Sequence, residues 1–338
     1  MPRPDTPRIS ILLPAFDAEA TLPSCLRSIG RQTEGNWECI VVDDGSSDGT
    51  LACARSFARA DDRFVVVARE HEGLVATLNG GLGRCRGRHV ARMDADDLMH
   101  SRRLAEQADL LDRDPTLAAV GCHVRIFPRD GMADGYRAYE SWLNGVDSPD
   151  AVQREAFVEC PVAHPTLVVR RERIPFGGYR DVGWPEDYDL ILRLLTTGQK
   201  VGVLPRRRLL WRDDPGRLSR TDPAYSIERF TACKASFLSE SFLAETDRYI
   251  LWGYGSTGRN LRRELDRLGK RPDHIVEMHP RRLGNRIHGA LVVPPDELRR
   301  VPRLPLIVSV AGEGPRELIR AALATLDFEE TRDFVCAA

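Results

Sequence analysis

The first third of the chain alternates short apolar runs with segments whose apolar residues have helical spacing. The runs and helical segments follow one another in the order 9–14, 19–32, 37–44, 47–57, 63–68, 74–86, 88–93 and 101–114. Such a β-α-β-α order predicts an α/β fold, with a mainly parallel sheet and helices on both of its faces. Because ligands of these sheets bind beyond the carboxyl ends of the strands, we expect a functional site at that edge.

Carboxylates follow three of the four strand-like runs. They are Asp17, Asp43, Asp44, Asp94, Asp96 and Asp97. Like charges repel, and a buried carboxylate is costly unless a cation meets it. A divalent ion on Asp94 and Asp96 would offset this repulsion, because Mg²⁺ or Mn²⁺ is commonly held by one or two carboxylates together with phosphates and water. The alternative for an isolated D-x-D is ordinary turn chemistry.

Five motifs occur in a fixed order within residues 9–240. They are "ISILLPAFDAEATLPSCLRSI", "WECIVVDDGSSDGT", "ARMDADD", "AHPTLVVRRE" and "PEDYDLILRLL". Each motif is weak alone, whereas the ordered set resembles the family-2 glycosyltransferases with the GT-A fold. The resemblance implies an inverting transfer of sugar from a nucleotide-diphosphate donor, with Mn²⁺ or Mg²⁺ as cofactor.

The resemblance also implies roles for individual residues. The residues that flank or read the nucleotide base map to Pro14, Ala15, Phe16, Glu19 and Asp44. Asp96 maps to the ligand of the metal that bridges the diphosphate, and Asp94 maps nearer the ribose. Asp187 maps to the catalytic base. The chemistry agrees, since an acceptor hydroxyl is a poor nucleophile that needs a carboxylate to take its proton. The alternative for "PEDYD" is an acid-rich helix start, which the helix dipole favours in any case.

Three further residues have two interpretations each. Arg212 and Arg217 lie in the Arg-rich stretch 206–220, which is either a phosphate clamp or lid, or a solvated face. The resembled family often has a histidine where this chain has Asp214, and this departure weakens the lid interpretation. His164 either lines the acceptor side or is an ordinary loop histidine.

A second α/β segment begins at about residue 248, so we predict two domains, a GT-A domain at 1–240 and a small Rossmann-like domain at 248–338. Its first strand and helix enclose a G-x-G-x-x-G pattern formed by Gly253, Gly255 and Gly258, and Glu277 follows the next strand. This arrangement is typical of dinucleotide binding. An architectural role, or homo-oligomerisation through this domain, is the preferred alternative, because the segment provides only half of a dinucleotide site.

Composition excludes several classes of function. The chain has 338 residues, a net charge of −1 and eight cysteines without a CxxC pair. These values predict a soluble protein that does not bind nucleic acid, and cysteines that are core residues in a reducing compartment. No signal peptide or membrane-spanning apolar run is evident, so we expect a cytoplasmic protein, with peripheral contact at the inner face of the membrane left open.

The sequence as a whole predicts a transferase that uses a nucleotide sugar, with a UDP-sugar as first choice. The acceptor would be a carbohydrate or a lipid-linked glycan in polysaccharide or glycoconjugate synthesis. Two alternatives remain, an NAD(P)-dependent sugar-nucleotide oxidoreductase and a non-catalytic nucleotide-sugar-binding protein. The region 115–185 has too little pattern to identify the sugar or the acceptor, and it includes a stretch at 128–150 that is predicted to be an insertion or a mobile loop.

Overall fold

The computed structural model describes residues 6–338, whose internal contacts form two units. The first unit contains the described residues up to Val152 together with Pro161–Val182 and Glu186–Arg217. The second unit contains Gln153–Cys160, Gly183–Pro185 and Leu218–Ala338. The division into domains at 1–240 and 248–338 stays a prediction.

The first unit is built around one eight-stranded sheet. Its strands are β1 (Ile9–Ala15), β2 (Trp37–Asp43), β3 (Phe64–Ala68), β4 (His89–Arg92), β5 (Leu98–Met99), β6 (Leu117–Phe127), β7 (Val168–Arg170) and β8 (Lys200–Arg212). Its helices are α1 (Leu22–Gly30), α2 (Thr50–Ala60), α3 (Leu74–Leu82), α4 (Arg103–Arg113), α5 (Asp134–Gly145) and α7 (Glu186–Thr196), with 3-10 turns at His164–Thr166 and Arg171–Arg173. Helix α6 (Pro149–Glu155) begins in the first unit, and its residues from Gln153 onwards belong to the second.

The strand order of this sheet is β3-β2-β1-β4-β7-β6-β8-β5. Strands β1 to β4 are parallel to one another, β7 is antiparallel to both of its neighbours, β6 and β8 are parallel, and β5 is antiparallel to β8. The predicted α/β architecture with a mainly parallel sheet is therefore confirmed. Its parallel half places the ends of β1, β2 and β4 side by side.

The buried faces of the elements explain why these segments fold as they do. Every residue of β1 and β2 is buried, as expected for parallel strands that are covered on both faces. Helix α1 buries residues at helical spacing, namely Leu22, Cys25, Leu26 and Ile29. The eight cysteines, all within residues 6–338, are free thiols, and only Cys53 is more than slightly exposed. Their predicted place in the core is confirmed.

The second unit contains a six-stranded sheet. Its strands are β9 (Arg248–Trp252), β10 (Arg271–Val276), β11 (Arg286–Ile287), β12 (Ala290–Val293), β13 (Leu306–Val308) and β14 (Phe334–Cys336). Its helices are α8 (Leu218–Thr221), α9 (Ile227–Glu240), α10 (Ser256–Arg267) and α11 (Glu313–Ala324), with 3-10 turns at Pro223–Tyr225 and Pro295–Arg300. The order is β11-β12-β10-β9-β13-β14, and every pair is parallel except the β11–β12 hairpin.

Two half-buried cations hold the segment 153–160 within the second unit. The ammonium group of Lys234 donates to the carbonyl oxygens of Val158, at 3.0 Å, and Ala337, at 2.9 Å. Burial lowers the pKa of Lys234 to about 8. Arg320 forms a salt bridge of 2.7 Å with Glu155. These contacts explain how a segment far from 218–338 in sequence belongs to the same unit. Among the helices within residues 6–338, none is long and apolar enough to cross a membrane.

The glycines that follow β9 differ in how strictly the fold requires a glycine at each position. Gly253 has a φ of +96°, and a Cβ at Gly258 would lie 2.2 Å from the Gly253 carbonyl oxygen. Gly258→Ala is therefore expected to lower the free energy of unfolding by about 1–3 kcal/mol through overpacking. Gly255→Ala is the matched control, because its Cβ would meet no described atom within 4 Å. Thermal unfolding tests this, and equal midpoints for the two variants would contradict it.

Candidate active site in the first unit

The turn between β4 and β5 carries a cluster of three carboxylates. Oxygen atoms of Asp94, Asp96 and Asp97 all lie within 4.8 Å of one another. Asp94 and Asp96 are half-buried and Asp97 is fully buried. The backbone N–H of Asp97 donates to the carbonyl oxygen of Asp94 at 3.4 Å, which keeps the turn tight. The sequence predicted that these three carboxylates crowd together, with the ion on Asp94 and Asp96, and the structure places all three in one cluster.

The electrostatics of this cluster favour a cation. Burial and the charge of Asp94 raise the pKa of Asp96, and Arg217 and Arg212 lower it, so that the net pKa is about 6. Burial and the two neighbouring carboxylates also raise the pKa of Asp97. The Oδ2 atom of Asp97 is buried and has no hydrogen-bond partner in the described part of the chain. An all-oxygen donor set with an orphaned oxygen fits Mg²⁺ or Mn²⁺, which prefer such ligands.

Arg92, at the end of β4, holds the first of these carboxylates. Its Nη2 donates to Asp94 Oδ1 at 2.6 Å, and the side chain is only 4% exposed. Burial lowers the pKa of Arg92, but Asp94, Tyr179 and Glu186 outweigh burial, so the net shift is upward. Arg92 therefore stays charged and fixes the orientation of Asp94. Sequence reasoning missed this residue, and no motif marks it.

The end of β8 contacts the same turn. The backbone N–H of Arg212 donates to Asp97 Oδ1 at 2.7 Å, and its Nε donates to the carbonyl oxygen of Asp96 at 2.8 Å. Arg217 donates to the carbonyl oxygen of Arg212 at 3.0 Å, and its guanidinium lies 4.5 Å from the ring of Trp211. The structure thus brings both predicted arginines to the carboxylate cluster. Their contact with phosphate stays a prediction.

A second group lies at the ends of β1 and β2. The ring of Phe16 is 49% exposed and stacks on the ring of His71, with a centroid distance of 4.3 Å. His71 Nδ1 lies 2.9 Å from Asp44 Oδ2. The carboxylate of Asp44 also accepts the backbone N–H groups of Glu72, at 3.1 Å, and Gly73, at 3.0 Å. His71 was missed from the sequence, where it lies in an unremarkable loop after β3.

The remaining residues predicted at the nucleotide base have structural contacts of their own. Pro14 and Ala15 are buried at the end of β1. Glu19 Oε2 accepts the backbone N–H of Gly49 at 2.9 Å, so Glu19 ties the loop after β1 to the start of α2. All three lie in or just after β1, the strand that Phe16 follows.

Helix α7 begins with three acids in different environments. Glu186 is buried. Asp189 is also buried and forms salt bridges with Arg180 and Arg193. Asp187 is the most exposed of the three, and its Oδ1 accepts the backbone N–H of Tyr188 at 2.7 Å. Of these carboxylates, Asp187 is therefore the one that solvent and a ligand can reach.

Buried side chains connect the carboxylate cluster to α7. His164 Nε2 lies 2.9 Å from the hydroxyl of Tyr179, and His164 Nδ1 lies 3.7 Å from Glu186 Oε1. Burial and the nearby charge of Arg92 lower the pKa of His164, which keeps the ring neutral. His164 is thus a partner within this network. Its predicted role toward the acceptor is untested by these contacts, and Tyr179 gave no signal in the sequence.

The predicted C-terminal residues belong to the second unit. Gly253 and Gly255 lie between β9 and α10, and Gly258 lies in the first turn of α10. Glu277 follows β10, and its Oε2 accepts a hydrogen bond of 2.7 Å from Arg282.

Comparisons with known proteins agree with this arrangement. Residues 10–173 match the family described as "Glycosyl transferase family 2". EpsE of Bacillus subtilis (strain 168), which is named as a glycosyltransferase, is 31% identical over 68% of this chain and 82% of its own length. The amylovoran biosynthesis glycosyltransferase AmsE of Erwinia amylovora is 30% identical over 58% of this chain and 73% of its own length.

A solved structure shows the same fold. The crystal structure of S. aureus TarS 1–349 in complex with UDP-GlcNAc has a TM-score of 0.56 and 17% identity, over 77% of this chain and 72% of that chain. Because these relatives are named as glycosyltransferases, they argue against the two alternatives, an oxidoreductase and a non-catalytic binding protein. Because EpsE reaches this identity across most of both sequences, the protein is a glycosyltransferase and belongs to glycosyl transferase family 2.

Proposed function

We propose that the protein is an inverting, metal-dependent transferase that moves a sugar from a nucleotide-diphosphate donor to an acceptor hydroxyl. The observation that carries the proposal is the oxygen cluster of Asp94, Asp96 and Asp97 beside Arg212 and Arg217. A UDP-sugar is the first candidate donor, supported by the complex of TarS with UDP-GlcNAc. Polysaccharide or glycoconjugate synthesis is the proposed context, supported by the amylovoran relative.

The carboxylate cluster would hold the metal, and Asp96 is its first ligand in this proposal. A bound Mn²⁺ or Mg²⁺ supplies positive charge for the diphosphate that leaves as the glycosidic bond breaks. Arg92 orients Asp94 through their 2.6 Å contact, so Asp94 points in one fixed direction. Arg212 and Arg217 add fixed positive charge at the same turn, where the leaving group becomes more negative in the transition state.

Asp187 would act as the general base. Glu186 and Asp189 are buried, and Asp189 is neutralised by two arginines, whereas Asp187 is the more exposed carboxylate. Asp187 would take the proton of the acceptor hydroxyl while the acceptor oxygen attacks the anomeric carbon. A single base and a single displacement invert the configuration at that carbon.

The group formed by Phe16, His71 and Asp44 would bind the nucleotide base. The ring of Phe16 is half exposed and supported from behind by His71, which leaves a face for a base to stack on. The carboxylate of Asp44 is held in position by the backbone of the loop after β3. A fixed carboxylate accepts hydrogen bonds from N–H groups on the edge of a base.

Removing the aromatic ring should weaken donor binding selectively. Phe16→Ala is expected to raise the dissociation constant for UDP about 5- to 150-fold, because stacking on one base contributes about 1–3 kcal/mol. Phe176→Ala is the matched control, since that ring is fully exposed in the same unit. Calorimetric titration with UDP measures both variants. Equal affinity of Phe16→Ala and the wild type would place the base elsewhere.

The proposed function is tested by a thermal-shift screen of nucleotide sugars with and without Mn²⁺. We expect one nucleotide sugar to raise the unfolding temperature, and to raise it further when Mn²⁺ is present. The anomeric configuration of the product, read by NMR, then tests inversion. Stabilisation that Mn²⁺ does not increase, or a product with the donor's configuration, would contradict the proposal.

A further inference from the structure

We propose that the second unit has a nucleotide site of its own, which binds the diphosphate of a nucleoside diphosphate between the carboxyl ends of β9 and β13. This site is additional to the donor site proposed for the first unit and does not depend on it. The inference rests on the sheet topology, one buried hydroxyl, an open glycine and a positioned arginine.

The topology of the second sheet opens a crevice at this place. From β9 the chain continues to β10 and β12 on one side of the sheet, and then to β13 and β14 on the other side. In open α/β sheets, ligands bind where the strand order reverses in this way. Because β9 and β13 are parallel neighbours, the turns that follow them lie at the same edge. Each turn leads into a twelve-residue helix, α10 or α11, whose N-terminus favours an anion.

A buried hydroxyl in this crevice lacks a partner. Ser309 directly follows β13 and is only 3% exposed, and its Oγ has no hydrogen-bond partner among residues 6–338. Its Cβ lies 3.7 Å from the position of a Cβ at Gly258, so the side chain packs against the first turn of α10. A buried polar group without a partner costs stability. A phosphate oxygen at the start of α10 would accept the hydrogen bond that Ser309 can donate.

Gly255 leaves open space at the start of α10, and the fold itself does not require a glycine at this position. Gly253 and Gly258 are fixed by backbone geometry, as the positive φ of one and the 2.2 Å approach at the other show. Gly255 has an ordinary φ of −73°, and no described atom lies within 4 Å of a Cβ placed there. Gly255 is also the N-cap of α10. No side-chain hydrogen bond caps this end of the helix in the described residues. The space in front of the helix N-terminus is therefore open.

An arginine stands beside the same turn. Arg282 donates to the carbonyl oxygen of Tyr254 at 3.0 Å and to Glu277 Oε2 at 2.7 Å. Glu277 Oε1 accepts the backbone N–H of Met278 at 2.9 Å. Glu277 thus positions Arg282, and its predicted contact with a ribose stays a prediction. A guanidinium beside the turn that leads into α10 suits a diphosphate, and one such crevice suits a single nucleotide.

Calorimetry on the full chain tests the site. The Asp96→Ala background in EDTA removes metal-linked binding by the first unit, and UDP, ADP and GDP are the probes. We expect at least one probe to bind, and Gly255→Val to reduce the number of binding sites by one, because its side chain fills the open space. Gly35→Val, at an exposed glycine whose Cβ would also meet no described atom within 4 Å, is the matched control. No binding by any probe, or an unchanged number of sites in Gly255→Val, would overturn the proposal.

Ser309→Ala separates a ligand contact from a structural role. Losing one hydrogen bond to a phosphate should weaken binding about tenfold. The unfolding temperature without ligand should stay the same or rise, because the variant removes a hydroxyl that the free protein leaves unsatisfied. A lower unfolding temperature with unchanged affinity would show that Ser309 serves the fold alone and would remove it from the site.

Discussion

Asp96→Ala is expected to lower turnover by roughly 10³-fold or more, because the loss of bound metal removes several kcal/mol of charge stabilisation from the transition state. Asp96 is half-buried and its neighbour Asp97 carries the buried contact to β8, so the variant should fold. The Mn²⁺-dependent part of UDP binding should disappear with turnover. Calorimetry with UDP, with and without Mn²⁺, and a donor-hydrolysis assay measure the two effects.

Asp130→Ala is the control for this experiment, since it removes an exposed carboxylate from the same unit. It should bind metal and UDP as the wild type does. If Asp96→Ala binds UDP with unchanged metal dependence, the metal is not held by the D-x-D turn. The proposed role of the cluster would then be wrong, whatever the effect on turnover.

Asp187→Asn is expected to slow transfer by about 10²–10⁴-fold, the usual contribution of a general base. The change is nearly isosteric, and the amide oxygen can still accept the backbone N–H of Tyr188 that Asp187 accepts now. Donor affinity should therefore be unchanged, so the loss should appear in kcat. Steady-state kinetics together with calorimetric titration of UDP separate the rate from the affinity.

Two matched variants sharpen this test. Asp181→Asn changes an exposed acid just before α7 and should transfer at the wild-type rate. Glu186→Gln changes the neighbouring buried acid, which lies 3.7 Å from the His164 ring. Wild-type activity in Asp187→Asn combined with a large loss in Glu186→Gln would move the base to Glu186.

The position of the carboxylate cluster was predictable because it follows from strand order alone. Parallel strands end at one edge, so residues after β1, β2 and β4 must lie near one another whatever their side chains do. The partners of those carboxylates were not predictable. Arg92 meets Asp94, and His71 meets Asp44, through side-chain directions that are fixed only by packing. The sequence position of a single arginine or histidine after an apolar run does not indicate which carboxylate its side chain will contact.

Of the two predictions for 128–150, an insertion or a mobile loop, the loop was wrong, because α5 occupies 134–145 of this stretch. The loop signals Asp134, Gly135 and Gly145 lie at the two ends of the helix, where an acid at the start is favourable and glycine costs little. Its apolar residues keep helical spacing and pack on the core of the first unit; they are Tyr136, Tyr139, Trp142 and Leu143. Asn144 then fixes the helix to Val124 of β6 by two hydrogen bonds. Packing against β6, a strand earlier in the chain, therefore stabilises a helix that the local sequence pattern did not predict.

The hydrogen bond from the Arg212 amide to Asp97 gives the proposed metal site a reporter that needs no label. Deuterium replaces this amide proton only when the buried contact opens, so its exchange rate measures how firmly the end of β8 is held. An ion that keeps Asp97 negatively charged strengthens the acceptor and slows the exchange. One backbone position thus records ion occupancy in the resting protein, before any sugar or acceptor is known.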